Sequence, residues 1–350
     1  LRRLYARPEV LAAANRKAGS PLRPDELAAL VRPRLAPWTV SDVPILDECE
    51  ELLGPMPSSS SSSREADEGA IERAREAIEA QNLGGGIVTA QMLAEQVAGQ
   101  DTWTPLSERA AKDRTWAYGH IVVDEAQELS PMAWRALLRR CPSRSFTVVG
   151  DLDQRRGSKR PPTWEKALGP AARALAAEYA LTVSYRTPAT LTTLAEGVVA
   201  RAGVPVLYPM TAVRDVDDCY RVTHVDAPED APASSKDNNP LWRAVAQAQR
   251  EAEERLDREA GTSRGRIAII VGAQRARAWG ADVDGETALS ERVSLLSAVA
   301  SKGLEFDSVI LVEPAEVLSD GVGDLFVALT RATHDVHVVH CAPLPAGMEE

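Results

Sequence analysis

From residue 120 onward, short runs of β-branched and aliphatic residues alternate with amphipathic stretches. The apolar runs at 121–124, 146–150, 181–185, 267–271, 293–296, 309–312 and 336–340 predict strands. Continuous apolar runs of this length mark strands buried on both faces. Between them, helical spacing predicts one helix from Ser130-Pro131 to about 140, one opened by Thr187-Pro188 as cap and first-turn proline, and one over 325–332. Strands alternating with helices imply an α/β fold with a mostly parallel sheet covered on both faces.

The first 53 residues read differently, as short helices. Helical spacing covers 25–31, and Ser41-Asp42 before Val43-Pro44 forms a cap with proline in the first turn. Gly54-Pro55 stops that helix. The serine run at 58–63 reads as a flexible linker or the site of a trimmed loop, and 68–80 as a charged amphipathic helix. Gly84-Gly85-Gly86 lacks a following Lys-Ser/Thr, so it reads as flexible backbone before a short strand at 87–89 rather than as a phosphate cradle. The Asp-, Pro-, Ser- and Asn-rich stretch 226–240 reads as an exposed loop.

Composition narrows the class. With 350 residues the chain is long enough for two domains. Its formal charge of −11 argues against a protein that coats nucleic acid without specificity, though not against a local basic groove. Cys49, Cys141, Cys219 and Cys341 form no CxxC pair, which makes a zinc site or disulfide framework unexpected and a reducing cytoplasm the simpler expectation. No apolar run approaches membrane-spanning length. The chain opens on Leu1, as expected of a fragment or a processed chain.

The candidate chemistry starts at His120-Ile121-Val122-Val123-Asp124-Glu125. A buried parallel strand that delivers two adjacent carboxylates at its carboxyl edge is the arrangement of a phosphate site, with Asp124 placed to hold Mg²⁺ and Glu125 to polarise a water. A buried strand closing in an ordinary Asp-Glu turn is the alternative. Four further segments bear on the choice: Val148-Val149-Gly150-Asp151-Leu152-Asp153-Gln154, Ser184-Tyr185-Arg186-Thr187, Ser301-Lys302-Gly303-Leu304-Glu305-Phe306-Asp307 and Val327-Ala328-Leu329-Thr330-Arg331-Ala332.

Together with Asp124-Glu125-Ala126-Gln127, these segments resemble motifs II to VI of the superfamily 1 (UvrD/Rep-like) helicases, in family order. The resemblance implies an ATPase with ATP and Mg²⁺ as cofactors. It implies that Asp124 coordinates Mg²⁺, Glu125 activates the attacking water and Gln154 senses the γ-phosphate. By the same resemblance Tyr185 stacks on adenine, Arg186 contacts the γ-phosphate, Gly303 and Glu305 belong to the nucleotide site with Glu305 on a ribose hydroxyl, and Arg331 is the arginine finger. A planar, permanently charged guanidinium suits that last role. On the bland reading Arg186 and Arg331 are surface ion-pair residues, Tyr185 is core and Glu305 is a loop acid.

Several positions depart from the pattern. Ser184 stands where Asn is usual and Glu128 where Asp is common. The usual Ser-Ile-Tyr after Gln154 is replaced by Arg155-Arg156-Gly157-Ser158, which weakens an expectation of DNA tracking. The basic cluster Arg155, Arg156, Lys159 and Arg160 reads either as a nucleic-acid contact or as a solvated loop. None of the six lysines follows a glycine, so a Gly-Lys-Ser/Thr phosphate loop is absent from this sequence. It is expected upstream, and this chain alone is expected to be inactive.

Only 104 residues separate Pro188 from Val293, little room for the extra subdomain of DNA-unwinding members. Three stretches, 38–48, 113–120 and 128–145, resemble instead the C-terminal part of actinobacterial HelD-type ATPases, which recycle RNA polymerase. That resemblance implies core RNA polymerase as partner and no membrane; DNA is the partner of the alternative, a helicase or translocase, and a non-catalytic interaction module is the third reading. The expected organisation is two RecA-like lobes: a helical segment at 1–57, a linker at 58–67, the C-terminal part of the first lobe at 68–170 and the second lobe at 171–350.

Overall fold

The computed structural model describes residues 1–54, 113, 116–156, 160–226, 239–281 and 291–349. The expectations at 58–63, 68–80, 84–86 and 87–89, and most of the 226–240 loop, fall outside them. Contacts divide the chain into two compact units: Leu1–His120 with Met132–Ser145, and Ile121–Pro131 with Phe146–Glu350.

The first unit opens on helices Arg2–Tyr5, Pro8–Lys17, Pro24–Leu30 and Val43–Leu53. Arg7 and Arg23 precede prolines that start the second and third, where a missing N–H is harmless. The predicted cap at Ser41-Asp42 forms otherwise than expected. Asp42 makes no side-chain cap on the helix that follows it. Its carboxylate instead accepts from the Thr39 amide at 2.8 Å and hydroxyl at 2.9 Å, closing the short 3₁₀ turn Val40–Asp42, and pairs with Arg32. A guanidinium on a buried carboxylate outweighs one exposed cap. Helix Val43–Leu53 ends at Gly54 with φ 73°, a conformation suited to glycine. Arg139 pairs with Asp47 and Glu48, and Arg135 with Glu48 at 2.8 Å, tying the end of helix Pro131–Arg140 to helix Val43–Leu53.

The second unit is α/β. Its main sheet is parallel, in the order β5 (Tyr220–His224), β9 (Ala332–His340), β8 (Phe306–Val312), β6 (Ile267–Val271), β7 (Val293–Ser297). The alternation along β6 explains the uninterrupted apolar run. Ala268 and Ile270 face one core, shared with Leu191, Val198, Leu325 and Leu329. Ile267, Ile269 and Val271 face the other, shared with Leu241, Val245, Leu256 and Trp279. Helices Ala189–Arg201 and Val322–Thr330 supply the first layer, and Pro240–Glu259 and Ala273–Trp279 the second. A sheet buried on both faces needs apolar residues at every strand position. Buried Glu313, at the exit of β8 with φ 48°, accepts hydrogen bonds from the Cys341 and Ala342 amides and so binds the ends of β8 and β9 together.

Two small parallel pairs complete the unit: β1 (Ile121–Val123) with β2 (Phe146–Val148), and β3 (Val183–Ser184) with β4 (Thr211–Ala212). Three expectations are corrected here. The run at 121–124 is a parallel strand but is not buried on both faces: Val123 is buried and Val122 is 67% exposed, because the described pair has two strands and packs on one side only. The run at 181–185 shortens to two residues, matching its two-residue partner, and Leu181 is exposed. Thr187 does not cap the helix after Pro188. It is buried, and its hydroxyl donates to the Thr330 carbonyl at 3.2 Å, joining the start of one helix to the end of another.

Candidate functional site

The carboxyl ends of β1 and β2 lie side by side in the register Val123↔Val148. After β1 the chain turns sharply: Glu125 adopts the left-handed conformation, φ 49°, ψ 38°, and leads into the 3₁₀ turn Ala126–Glu128. That conformation in a non-glycine residue costs on the order of 1 kcal/mol and concentrates at functional turns. The Glu125 backbone amide donates to Asp124 Oδ1 at 2.8 Å, which holds the Asp124 carboxylate against the turn. Asp124 is exposed and Glu125 half-buried.

The same turn sends Gln127 inward, where it is fully buried. Its amide nitrogen donates to Glu125 Oε2 at 2.5 Å, and its carbonyl accepts from the Asp151 amide at 3.1 Å. Gly150 leaves the room for this: a Cβ there would lie 2.4 Å from Gln127 Oε1 and 2.8 Å from the Trp164 ring. Asp151 caps the 3₁₀ turn Leu152–Gln154 by accepting from Asp153 N at 2.9 Å, and its second oxygen accepts from Gln154 Nε2 at 2.9 Å. The Gln154 carbonyl in turn accepts from the Arg331 guanidinium at 2.8 Å. An unbroken polar chain therefore runs Glu125, Gln127, Asp151, Gln154, Arg331. Burial raises the Asp151 carboxyl above its ordinary value, against the opposing pull of Gln154 and the Arg331 and Arg160 charges.

Arg331 follows helix Val322–Thr330 and is 2% exposed. Burial and the neighbouring Arg186 guanidinium push it down to about 10, while Glu125, Asp151 and Glu305 pull the other way. An arginine stays protonated at neutral pH, so the shift measures how poorly its charge is compensated. The Nε atoms of both Arg331 and Arg186 are buried without a hydrogen-bond partner. Arg186 also pairs with Glu305 at 2.8 Å, an ion pair open to solvent. Tyr185 is 73% exposed, which removes the core reading for it. Arg214 donates to the Tyr185 and Arg186 carbonyls and to that of Thr333, holding this strand end in place. Gly303 has φ 72° and open space around its missing Cβ, so the turn into Glu305 requires the conformation rather than the small size.

The expected site residues thus converge in one unit: Glu125, Gln154 and Arg331 are joined by bonds, Arg186 and Glu305 pair beside them, and Asp124 shares the turn with Glu125. Sequence reasoning brings Asp151 to the same strand edge as Gln154 without a named role, and gives none to Gln127 or Lys302. Lys302 Nζ donates to Glu128 Oε1 and to the Gln154 backbone carbonyl, each at 2.7 Å, and lies 3.7 Å from buried Asp324. Glu128, longer than the Asp common there, also accepts from Arg156 N at 3.1 Å. Gly323 packs on the same loop, where a Cβ would stand 2.3 Å from the Arg155 carbonyl. The basic cluster is tied down rather than solvated at two positions, with Arg155 donating to the Gln127 backbone carbonyl and Arg160 paired with Asp153. Lys159 lies outside the described residues.

A triphosphate with Mg²⁺ fits the residues present. Two orphaned buried guanidinium nitrogens call for an anion, and Mg²⁺ is typically held by one or two carboxylates together with substrate phosphates. The described residues contain no cluster of three or more metal-ligating side chains. No helix among the described residues is long and apolar enough to cross a membrane.

No model of a known protein family matches the chain, and no curated protein matches it. Among solved structures, it is similar to the arterivirus nonstructural protein 10 helicase (TM-score 0.35, 15% identity), covering 66% of this chain and 41% of that one. The complex of that helicase with DNA gives a TM-score of 0.34 at 17% identity, over 64% and 40% of the two chains. The C-terminal domain of a possible DNA helicase from Lactobacillus plantarum WCFS1 gives 0.30 at 18% identity, over 47% and 92%. The chain therefore spans about two fifths of the length of the arterivirus helicase.

Proposed function

We propose that this chain is part of an ATP-hydrolysing motor of the helicase type, built on two RecA-like lobes with the second beginning near residue 171. The observation that carries the reading is Arg331, a buried guanidinium bonded to Gln154, beside Arg186, with both Nε atoms unpartnered. Phosphoryl transfer asks little covalent chemistry of a protein and much charge stabilisation, which two such cations would supply. Bound Mg²⁺, held by Asp124, would neutralise phosphate charge. Glu125 would accept the proton of the attacking water, its carboxylate oriented by the Gln127 amide. Tyr185 would offer its exposed ring to the base, and Glu305 would exchange Arg186 for a ribose hydroxyl. The Gly-Lys-Ser/Thr loop that this sequence lacks would have to come from outside it.

Within that class, the sequence resemblance over 38–48, 113–120 and 128–145 supports a HelD-type factor whose cycle releases RNA polymerase, in preference to duplex unwinding. ATP turnover by the full-length protein tests the first level: Glu125→Gln and Arg331→Ala should each abolish most of it, and undiminished turnover in both would remove the motor reading. Co-purification of core RNA polymerase at moderate salt tests the second. Strand displacement with DNA-stimulated turnover, and no polymerase bound, would move the assignment to a DNA helicase or translocase.

A further inference from the structure

Arg186 and Arg331 lie near enough that the charge of the first disfavours that of the second. Like charges repel, so bonds elsewhere must keep the two segments together. One such bond runs from the Thr187 hydroxyl to the Thr330 carbonyl, between the immediate neighbours of the two arginines. A second tether is a side chain from a different strand, Arg214.

Arg214 stands just past the end of β4. β3 and β4 pair in the register Ser184↔Ala212, and the ladder continues by one bond, from the Val213 amide to the Ser184 carbonyl at 2.9 Å. That brings Arg214 level with the Tyr185-Arg186 segment. Its backbone is held on both sides. The Arg214 carbonyl accepts from the Ala189 amide at 2.9 Å, and Asp215 accepts from the Thr190 amide at 3.1 Å and hydroxyl at 3.0 Å.

From this base the guanidinium spans two stretches remote in sequence. Nε donates to the Tyr185 carbonyl at 3.3 Å and Nη2 to the Arg186 carbonyl at 2.7 Å. The same Nη2 donates to the carbonyl of Thr333, two residues beyond Arg331. All three acceptors are backbone oxygens, so the bonds set where the chain runs rather than where one side chain points. Among the described residues Arg214 forms no ion pair; its charge therefore adds to that of the other two arginines instead of cancelling a carboxylate. A planar fork can serve three acceptors at once, and bonds from an ionised donor are stronger than neutral ones.

We propose that Arg214 is a positioning residue for phosphoryl transfer: one guanidinium fastens the Arg186 segment to the Arg331 segment and so keeps two mutually repelling cations side by side. The proposal rests on the motor reading for the reaction that these cations serve. Arg214 touches no reacting atom itself. It acts through the backbone of Arg186 and of Thr333. Without it, the Thr187–Thr330 bond alone would hold the segments, and the pair would spread before any phosphate arrived to draw it together.

The test uses the full-length protein with Arg214→Ala and Arg214→Lys. Arg214 is exposed, so both variants should unfold in urea at nearly the parent midpoint. Their kcat for ATP should fall about 10- to 100-fold, the effect of slight misplacement, with KM changed less than about threefold. Lysine should fail with alanine, because it keeps the charge and loses the fork. A parent-like kcat in the alanine variant would overturn the proposal. So would recovery by lysine, which would reduce the role to charge, or a loss of midpoint in step with kcat, which would reduce it to folding. Calorimetry with inorganic tripolyphosphate gives an arm free of turnover: both variants should bind it about fivefold more weakly, and parent-like binding in either would also overturn the proposal. A parent protein that binds tripolyphosphate in this pattern but hydrolyses no ATP would sink the motor reading and leave the tether standing.

Discussion

The Gln154 side-chain carbonyl takes a 2.8 Å hydrogen bond from Arg331, 177 residues further along the chain. The other end of the same amide donates to Asp151, so the glutamine cannot turn without breaking one bond or the other. Arg331 is buried, and this is the bond that fixes its guanidinium. Gln154→Ala in the full-length protein should therefore reduce ATP turnover about 10- to 100-fold through mispositioning, and Arg331→Ala by more, since an arginine finger is worth roughly 10³–10⁵ in rate. The two should not multiply: residues that act as one unit lose most of their effect with the first substitution. Arg331→Lys should not rescue, because an ammonium cannot replace the planar fork. Steady-state rates of the four proteins of a double-mutant cycle check this, and multiplicative losses would show that the contact is incidental.

Two glycines are required for space and a third for conformation. A Cβ at Gly150 would overlap Gln127 and Trp164, and one at Gly323 would overlap the Arg155 carbonyl. Gly303 has open space but φ 72°. Alanine at 150 or 323 should cost about 1–3 kcal/mol, typical of overpacking against neighbours that cannot move. Alanine at 303 should cost about 1 kcal/mol, from backbone strain alone. Chemical denaturation of the three variants gives the order, and the reverse order would contradict the packing described.

Much of the main sheet was legible because β6, β8 and β9 are buried on both faces, and double burial writes itself as continuous apolar runs at Ile267–Val271 and Val309 to Val312. Val122 misled for the same reason: an apolar run does not say how many strands flank it. The convergence of Glu125, Gln154, Arg186, Glu305 and Arg331 was legible through motif order. Gln127 was in view, but one of its partners is the amide of Asp151 in the loop after the neighbouring strand, which no local pattern encodes. Lys302 to Glu128, and Glu313 to the end of β9, are likewise long-range pairs, and single residues of common type leave no periodic signal. Asp42 and Thr187 fell where a local cap signal lost to a tertiary partner, Arg32 for one and the Thr330 carbonyl for the other.

The Arg186–Glu305 pair predicts a competition. If Arg186 is to meet a phosphate, Glu305 must release it, so Glu305 opposes binding of any anion that offers nothing in exchange. Inorganic tripolyphosphate has no ribose hydroxyl. Glu305→Ala should therefore raise tripolyphosphate affinity of the full-length protein about two- to fivefold, the worth of a solvent-open ion pair. ATP affinity should rise less or fall, because the same substitution removes the proposed ribose contact. Calorimetric titration of both ligands decides, and equal changes for the two would leave Glu305 without a ribose role.

His337 predicts the direction of an acid-side loss of stability. It sits on β9 with Nε2 2.8 Å from the Thr223 hydroxyl and Nδ1 buried without a partner. Burial first, then the Arg221 charge, lowers it below its ordinary 6.5; Glu251 and Asp335 pull upward and Arg255 downward again. Because the folded state holds this proton less tightly than the unfolded chain, the unfolded chain binds more protons as pH falls. Stability should therefore drop from about pH 6.5 downward until the folded-state value is passed, and stay flat above it. His337→Gln keeps a hydrogen-bonding group toward Thr223 and removes the titration. Its midpoint in denaturant should be less sensitive than that of the parent protein between pH 7 and 5, with carboxylates contributing equally to both. A parallel decline in parent and variant would show that His337 takes up its proton as readily in the folded sheet as in the unfolded chain.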